Sequence, residues 1–284
     1  MCSSRDTAKL FEDCYFCGSN IRGSPKKRFA ISLSALSFLI AGPAVAADMR
    51  APAPRAPVAQ PVAVYNWTGC YVGAGGGYGM FNQKTQVIET GVVDGVEASN
   101  GGRGWFGTVQ VGCDYQVASN FVLGAFADYD FSDIRGDQIT FPGFLLSGKE
   151  KLKSSWAAGG RIGWLPFPQL LVFVSGGYAE AQFGRVDFNF LNGPPFPWHL
   201  NKHTYSGWFI GSGYEYGIGW LPGLFWKTEY RFADFGSEKL DVISSTTNLP
   251  IAGNAVDNHK YIQTIRSELV WRFNFGGGPV VARY

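Results

Sequence analysis

The stretch YIQTIRSELVWRFNF, residues 261 to 275, puts Tyr261, Ile265, Leu269, Trp271, Phe273 and Phe275 at odd positions and Arg266, Glu268, Arg272 and Asn274 at even ones. Alternate residues of a strand point to opposite faces, so this period of two makes one apolar face and one charged face. The pattern recurs along the chain and predicts eight strands, at 67–79, 104–117, 121–132, 154–164, 170–183, 204–218, 224–236 and 258–275. In the second, Val109, Val111, Cys113 and Tyr115 oppose Thr108, Gln110, Gly112 and Asp114. In the fourth, Trp156, Ala158, Ile162 and Trp164 oppose Ser155, Gly159, Arg161 and Gly163, and in the seventh Leu224, Trp226, Tyr230 and Phe232 oppose Lys227, Glu229 and Arg231. The fifth is mixed, because Val172 and Val174 share a face with Glu180.

The gaps between these strands alternate in length. ASN, LPFPQ and GWLPG are tight turns, whereas the intervening gaps run to roughly twenty residues, long for simple connections. Two ends that differ so regularly face different surroundings. The pattern is that of an all-β, eight-stranded antiparallel transmembrane up-and-down β-barrel with short periplasmic turns and long extracellular loops. Hydrocarbon offers no hydrogen bonds, so the sheet must close on itself and turn its apolar face outward. A soluble barrel of the lipocalin kind has the opposite arrangement, and an eight-stranded lumen holds only modest side chains. The apolar faces carry too many Trp and Tyr for such a lumen, while the glycine-dense faces (Gly73, Gly75 and Gly77; Gly207, Gly211 and Gly213) fit. Trp67, Tyr71, Trp105, Tyr115, Trp164, Trp208, Tyr216, Trp220 and Trp271 cluster near strand ends, where amphipathic rings form interfacial girdles.

Composition agrees: 38 glycines and 16% aromatic residues, with no three-residue glycine period, suit closely packed strands rather than disorder or collagen. The amino-terminal region reads as a leader, with Lys26, Lys27 and Arg28 before an apolar run at 29–40 and small residues at 44–47. That run is too short to span a membrane as a helix. The expected organisation is therefore a signal peptide with an N-terminal extension at 1–47, a Pro/Ala-rich periplasmic spacer at 48–65 and an outer-membrane barrel at 66–284. Beyond residue 47, 18 Lys and Arg face 19 Asp and Glu, so the mature chain is nearly neutral and has no basic signature for nucleic acid. Cys14 and Cys17 form a C-x-x-C with no second ligand pair after it.

The charged faces assign Asp114, Asp128, Asp130, Arg161, Glu180, Glu215, Lys227, Glu229, Arg231, Arg266, Glu268 and Arg272 to the lumen. Both signs are present, and buried charges need partners, so these residues are expected to form a network of ion pairs. The first hairpin brings Cys70 and Cys113 together, either as a disulfide in the oxidising periplasm or as two lipid-facing thiols. His199 and His203 fall in or beside an outer loop, a candidate ligand site for a metal or haem, although GPPFPW before them argues against the helical turn it would need. GRGWFG has dinucleotide-motif spacing but no helix follows it.

YNWTGCYVGAGGGYG, TEYRFADFG and WRFNFGGGPVVARY closely resemble the RopB-type small outer-membrane proteins of alphaproteobacteria, related to the opacity-like barrels, over roughly residues 47–284. Cys70 and Cys113 depart from that pattern, which usually has an aromatic and a bulky residue there. The resemblance implies an eight-stranded barrel in the cell outer membrane with envelope and surface roles, often porin-like, and haem binding in some relatives. The aromatic end, with Phe273, resembles the signal read by the outer-membrane insertion machinery, ending either at Phe275 or at Tyr284. The expected function is a non-enzymatic, envelope-integrity role without a cofactor, in contact with outer-membrane lipid and lipopolysaccharide. The alternatives are a narrow porin, a lipid-modifying enzyme, which would need a His, Ser and acid cluster on the lipid-facing surface near a strand end where the predicted apolar bands hold no histidine, and a surface haem or other loop-bound ligand binder.

Overall fold

The computed structural model describes residues 65–140, 146–190 and 193–273. The expected leader, nearly all of the spacer, and Phe275 and Tyr284 of the insertion signal lie outside the described residues. The strands are β1 (Gly69–Glu89), β2 (Val92–Ala118), β3 (Phe121–Thr140), β4 (Leu146–Phe167), β5 (Leu170–Phe183), β6 (Val186–Phe190), β7 (Pro195–Leu200), β8 (His203–Gly217), β9 (Leu224–Ser244) and β10 (Pro250–Phe273). Every neighbouring pair is antiparallel, and the ring β1-β2-β3-β4-β5-β8-β9-β10 closes where Cys70 faces Phe273 and Tyr78 faces Ile265. Closure gives every strand two partners and leaves no edge in hydrocarbon.

Short β6 and β7 are continuations of the wall. The offset that pairs Phe183 with His203 also pairs Val186 with Leu200 and Asp187 with His199. β6 keeps its place against β4, and β7 keeps its place against β9. β5 with β6, and β7 with β8, are thus two tall strands interrupted at 184–185 and 201–202.

At the inner end the predicted tight turns hold, and Gly223, at φ +92°, sits against the Trp271 ring in the third of them. At the outer end the strands run well past their predicted limits. β1 and β2 continue to a two-residue turn at Thr90 (φ 50°) and Gly91 (φ 81°), the left-handed geometry that matches strand twist in a hairpin. The long outer segments are therefore largely β-hairpin. Their inward positions still alternate, with Phe81, Gln83, Thr85 and Val87 buried, but outward Asn82, Lys84 and Gln86 supply no apolar face, so the sequence pattern fades there.

Facing outward, Trp105, Val111, Ile162, Val174, Ile210, Trp226, Ile265 and Leu269 form an exposed apolar band. Trp105 and Tyr115 are ten positions apart on β2, the length of tilted strand that crosses hydrocarbon. An outer belt of rings follows the wall, through Tyr78 on Trp105 (5.0 Å), Tyr129 on Phe131 (4.8 Å), Trp156 on Tyr178 (5.6 Å) and Trp208 on Phe232 (6.1 Å). An inner belt comprises Tyr115, Trp164, Phe167, Tyr216, Trp220 and Trp271. Two expected girdle members, Trp67 and Tyr71, are instead buried inside the barrel, because both fall on the inward parity of the first strand.

Inward glycines lie where a large side chain from the next strand crosses them. A Cβ on Gly77 would come within 2.6 Å of Phe106 Cζ, and one on Gly159 within 2.9 Å of Phe209 Cζ. Gly160, one residue on, faces outward and would place its Cβ 3.6 Å from the nearest atom. Gly159→Val should therefore destabilise the barrel by about 1–3 kcal/mol or more through overpacking, whereas Gly160→Val should leave it unchanged. Urea unfolding in lipid vesicles compares the two, and equal losses would contradict the assigned facing.

Candidate functional site

The lumen gathers the buried polar side chains of this wall, and it is built in layers. Near the inner end, Arg161 lies across from Asp114 and Glu215. Its Nε donates to Asp114 Oδ1 at 2.9 Å and its Nη1 to Glu215 Oε2 at 3.1 Å. Arg272 completes a square, with Nε on Glu215 Oε1 at 2.8 Å and Nη1 2.7 Å from Asp114 Oδ2. In the middle, Lys227 Nζ meets Glu229 at 2.8 Å, Gln110 Oε1 at 2.9 Å and Glu268 at 3.4 Å. Arg231 grips Asp128 through two bonds of 2.9 and 2.8 Å, while Arg266 reaches Asp128 at 3.1 Å and Asp130 at 3.0 Å. Ser175 and Ser155 add hydroxyl donors to Glu229 and Asp130. The expected network residues Asp128, Asp130, Arg161, Glu215, Lys227, Glu229, Arg231, Arg266, Glu268 and Arg272 are all buried inside the ring.

Aromatic faces insulate the cations. Arg161 lies 4.7 Å from the Tyr71 ring centre, Arg231 4.3 Å from Phe209, Arg266 5.4 Å from Phe106 and Arg272 4.7 Å from Trp67. Inward phenylalanines were not anticipated by a reading that placed bulk outside and glycine within. The inward glycines make the room they need.

Glu180 is corrected. It faces outward, where Trp156 Nε1 (3.0 Å) and Tyr178 Oη (2.7 Å) donate to it from the belt. The sequence also missed a second buried pair beyond the belt. Lys260 Nζ donates to both oxygens of Glu150 at 2.8 Å and to Gln83 Oε1, among Phe81, Phe183 and Tyr205. Burial pulls the Lys260 ammonium below its ordinary range, and Glu150 opposes that pull. Lys260 shares the even parity of Arg266 and Glu268, which was a usable signal, whereas Glu150 lay in a segment read as loop. Above this pair Val87, Leu146, Val186, Phe188, Leu200, Val242 and Val256 pack into an apolar stopper.

His199 is in strand β7, 1% exposed, with Nδ1 3.0 Å from Ser245 Oγ; His203, in β8, stacks edge-on with Tyr205 and stands 4.0 Å from Glu238. Among the described residues no group of three or more His, Cys, Asp or Glu is arranged to hold a metal. Cys70 and Cys113 are joined by a disulfide between directly facing positions of β1 and β2. Phe273 ends β10 on the outward face. The lumen cavity beside Asp128, Asp130, Arg231 and Arg266 has a volume of about 30 Å³, room for about two waters. Every lumen cation among the described residues already has a carboxylate and none is presented to solvent, while Gln83 Nε2, Gln110 Nε2, Asp130 Oδ1 and Arg266 Nε are buried without a hydrogen-bond partner.

Residues 51–277 match the family model described as outer membrane protein beta-barrel domain. The chain is 31% identical over 219 residues to the 31 kDa outer-membrane immunogenic proteins of Brucella melitensis and Brucella suis, covering 74% of this chain and 89% of each relative. Among solved structures it is similar to the outer membrane protein OprG from Pseudomonas aeruginosa, at 11% identity and a TM-score of 0.45 over 74% of this chain and 99% of that one. It is also similar to Neisserial surface protein A, at 14% identity and a TM-score of 0.35 over 72% and 98%.

The Lys260–Glu150 pair offers a clean energetic test, since among the described residues neither member has another ion-pair partner. Lys260→Met should cost about 3–5 kcal/mol by stranding a buried carboxylate, and the double variant with Glu150→Met should recover most of that loss. Urea unfolding midpoints of the two variants and the parent, compared in the same vesicles, check it; additive losses would mean the pair is not coupled.

Proposed function

The chain belongs to the outer membrane protein beta-barrel family, and from that premise we propose that it serves the outer membrane as a closed structural barrel that contributes to envelope integrity. The observation that carries this is the continuity of buried side chains along the axis. Trp67 and Tyr71, then Glu215, Lys227, Glu229 and Arg266, then Phe81, Lys260 and Val256 mark successive heights of the axis, and each of these nine is 2% exposed or less. A water-filled conduit would leave such a lining wetted. Porins leave an aqueous channel only with many more strands, and eight give an interior that side chains can fill.

Ion pairs of this density contribute rigidity and closure more than net stability, because desolvation offsets much of their attraction. That suits a wall element better than a solute carrier, whose binding groups must be free to exchange partners. The same arrangement gives no support to catalysis. His259, stacked on Tyr261, faces Ser237 across the strand pair, but its ring nitrogens are engaged by Asp234 at 2.9 Å and by the Tyr261 hydroxyl at 3.5 Å rather than by that serine.

Purified protein in planar bilayers should give no unitary current steps, and cells lacking it should become sensitive to detergent and regain resistance when it is restored. Regular ion-conducting steps from the wild-type protein would replace the structural role with that of a narrow porin.

A further inference from the structure

Just beyond the outer aromatic belt, one side of the barrel carries an unbalanced row of cations. Arg103 on β2 is directly opposite Arg135 on β3, and Arg135 is directly opposite Lys151 on β4. Like charges facing across strands repel, and nothing in the fold requires three of them in line. Lys149 and Lys153 flank Lys151 on the same outward face of β4, and the Lys153 stem lies over the bare backbone of Gly184.

The carboxylates on and beside this face are Glu97, held by Lys84, Asp187, held by Arg185, Asp137, directly opposite Lys149, and Asp133. Asp133 is already held by Lys151 (2.6 Å) and Arg135 (2.9 Å), whose hydrogen bonds keep its carboxyl below the ordinary range. Among the described residues no carboxylate comes within ion-pair distance of Arg103, Lys149 or Lys153, although Asp137 is the cross-strand neighbour of Lys149. The opposite wall differs: beyond Trp208 and Phe232 the outward positions are Ser206, Thr204 and Asp234.

Depth narrows the choice of ligand. Arg103 stands two residues past Trp105 and Arg135 four past Phe131, about 7–13 Å along a strand and about 5–9 Å above the belt once tilt is included. That is the headgroup layer of a bilayer. The patch is open sideways to lipid and encloses no cavity that would retain a small free ion. Arg pairs with phosphate oxygens through its fork and Lys as a point charge, and three adjacent strands span about 10 Å, enough for more than one phosphate.

We propose that the outward face of β2–β4 binds the phosphate groups of a phosphorylated lipid headgroup in the outer leaflet. The inference rests on the reading of this end as the outer one and adds a specific lipid site to the closed barrel. The ligand would sit over the Arg103–Arg135–Lys151 row, relieving its repulsion, while its acyl chains lie against Trp105, Phe131 and Trp156.

The test uses the full-length folded barrel in detergent, with diphosphorylated lipid A, the same lipid after enzymatic dephosphorylation, and sodium phosphate as probes, read by native mass spectrometry. The parent should hold diphosphorylated lipid A at least about tenfold more tightly than the dephosphorylated form. The variant Arg103→Gln/Lys149→Gln/Lys153→Gln should lose that preference, while the control Lys202→Gln/Lys239→Gln, elsewhere on the outer region, keeps it. These side chains are solvent-exposed, and a heat-modifiable electrophoretic band verifies that each variant is folded. Equal retention by parent and triple variant, or displacement of the lipid by millimolar phosphate alone, would overturn the assignment. A parent that enters bilayers yet ignores the lipid defeats only this site, whereas a parent that stays soluble without detergent defeats the barrel reading beneath it.

Discussion

Backbone hydrogen bonding in a medium that offers none is the constraint on which this structure depends. Each N–H and C=O in the apolar band must find its partner in another strand, so the sheet has to close, and β10 must meet β1 in register from Cys70–Phe273 upward. Closure then fixes everything about side chains. One parity faces hydrocarbon and the other faces a narrow axis, and no residue can avoid the choice. Charged residues on the inner parity are therefore not free to ionise into water; they must neutralise one another across the lumen. The Asp114–Arg161–Glu215–Arg272 square and the Asp128–Arg231–Arg266 cluster meet that demand with partners contributed by different strands.

Filling so narrow an axis with long cations also poses a steric problem, which the glycines solve. Phe106 crosses Gly77, Tyr71 crosses Gly112 and Phe209 crosses Gly159, so rings lie flat along the wall and leave the centre to charge. The ring faces in turn provide a surface that is apolar to its neighbours but attractive to a guanidinium. Arg231, between Phe126 and Phe209, and Lys260, between Phe183 and Tyr205, show the same arrangement at two different heights. The lumen is less a polar pore than a stack of cation, carboxylate and ring layers, ended at the outside by an ordinary apolar core.

What the sequence made legible was parity. The alternation in the second, fourth and last strands placed Gln110, Arg161 and Glu268 inside and Trp105, Trp164 and Trp271 outside, because each depends only on its own strand. Partnership across the lumen was not legible, since Arg161 meets Glu215 54 residues away through register and tilt that no local pattern encodes. Glu180 was misplaced because the fifth strand mixes polar and apolar residues on one face, and the belt donors that satisfy it come from Trp156 on one neighbour and from Tyr178 on its own strand. The outer extension was read as loop because lipid no longer selects outward residues there. Glu150 and the stopper around Phe188 went unseen for the same reason.

A charged lumen has a further logic in the route such a chain must take. Buried ion pairs are often no more stabilising than well-packed apolar residues of the same volume, so stability alone does not explain why charge fills this axis. Strands apolar on both faces would read as continuous hydrophobic segments, and a stretch of about 18 or more is treated as a membrane-spanning helix. Lys227, Glu229 and Arg231 within LFWKTEYRF, and Arg266, Glu268 and Arg272 within IRSELVWRF, interrupt every such stretch at alternate positions. The alternation lets each strand cross water as an unremarkable polar chain and acquire its greasy face only when the ring forms. On this view the ion pairs are the folded-state resolution of a requirement set before folding, and the closed lumen follows from it: charges placed for passage through water must then be paired once water is gone.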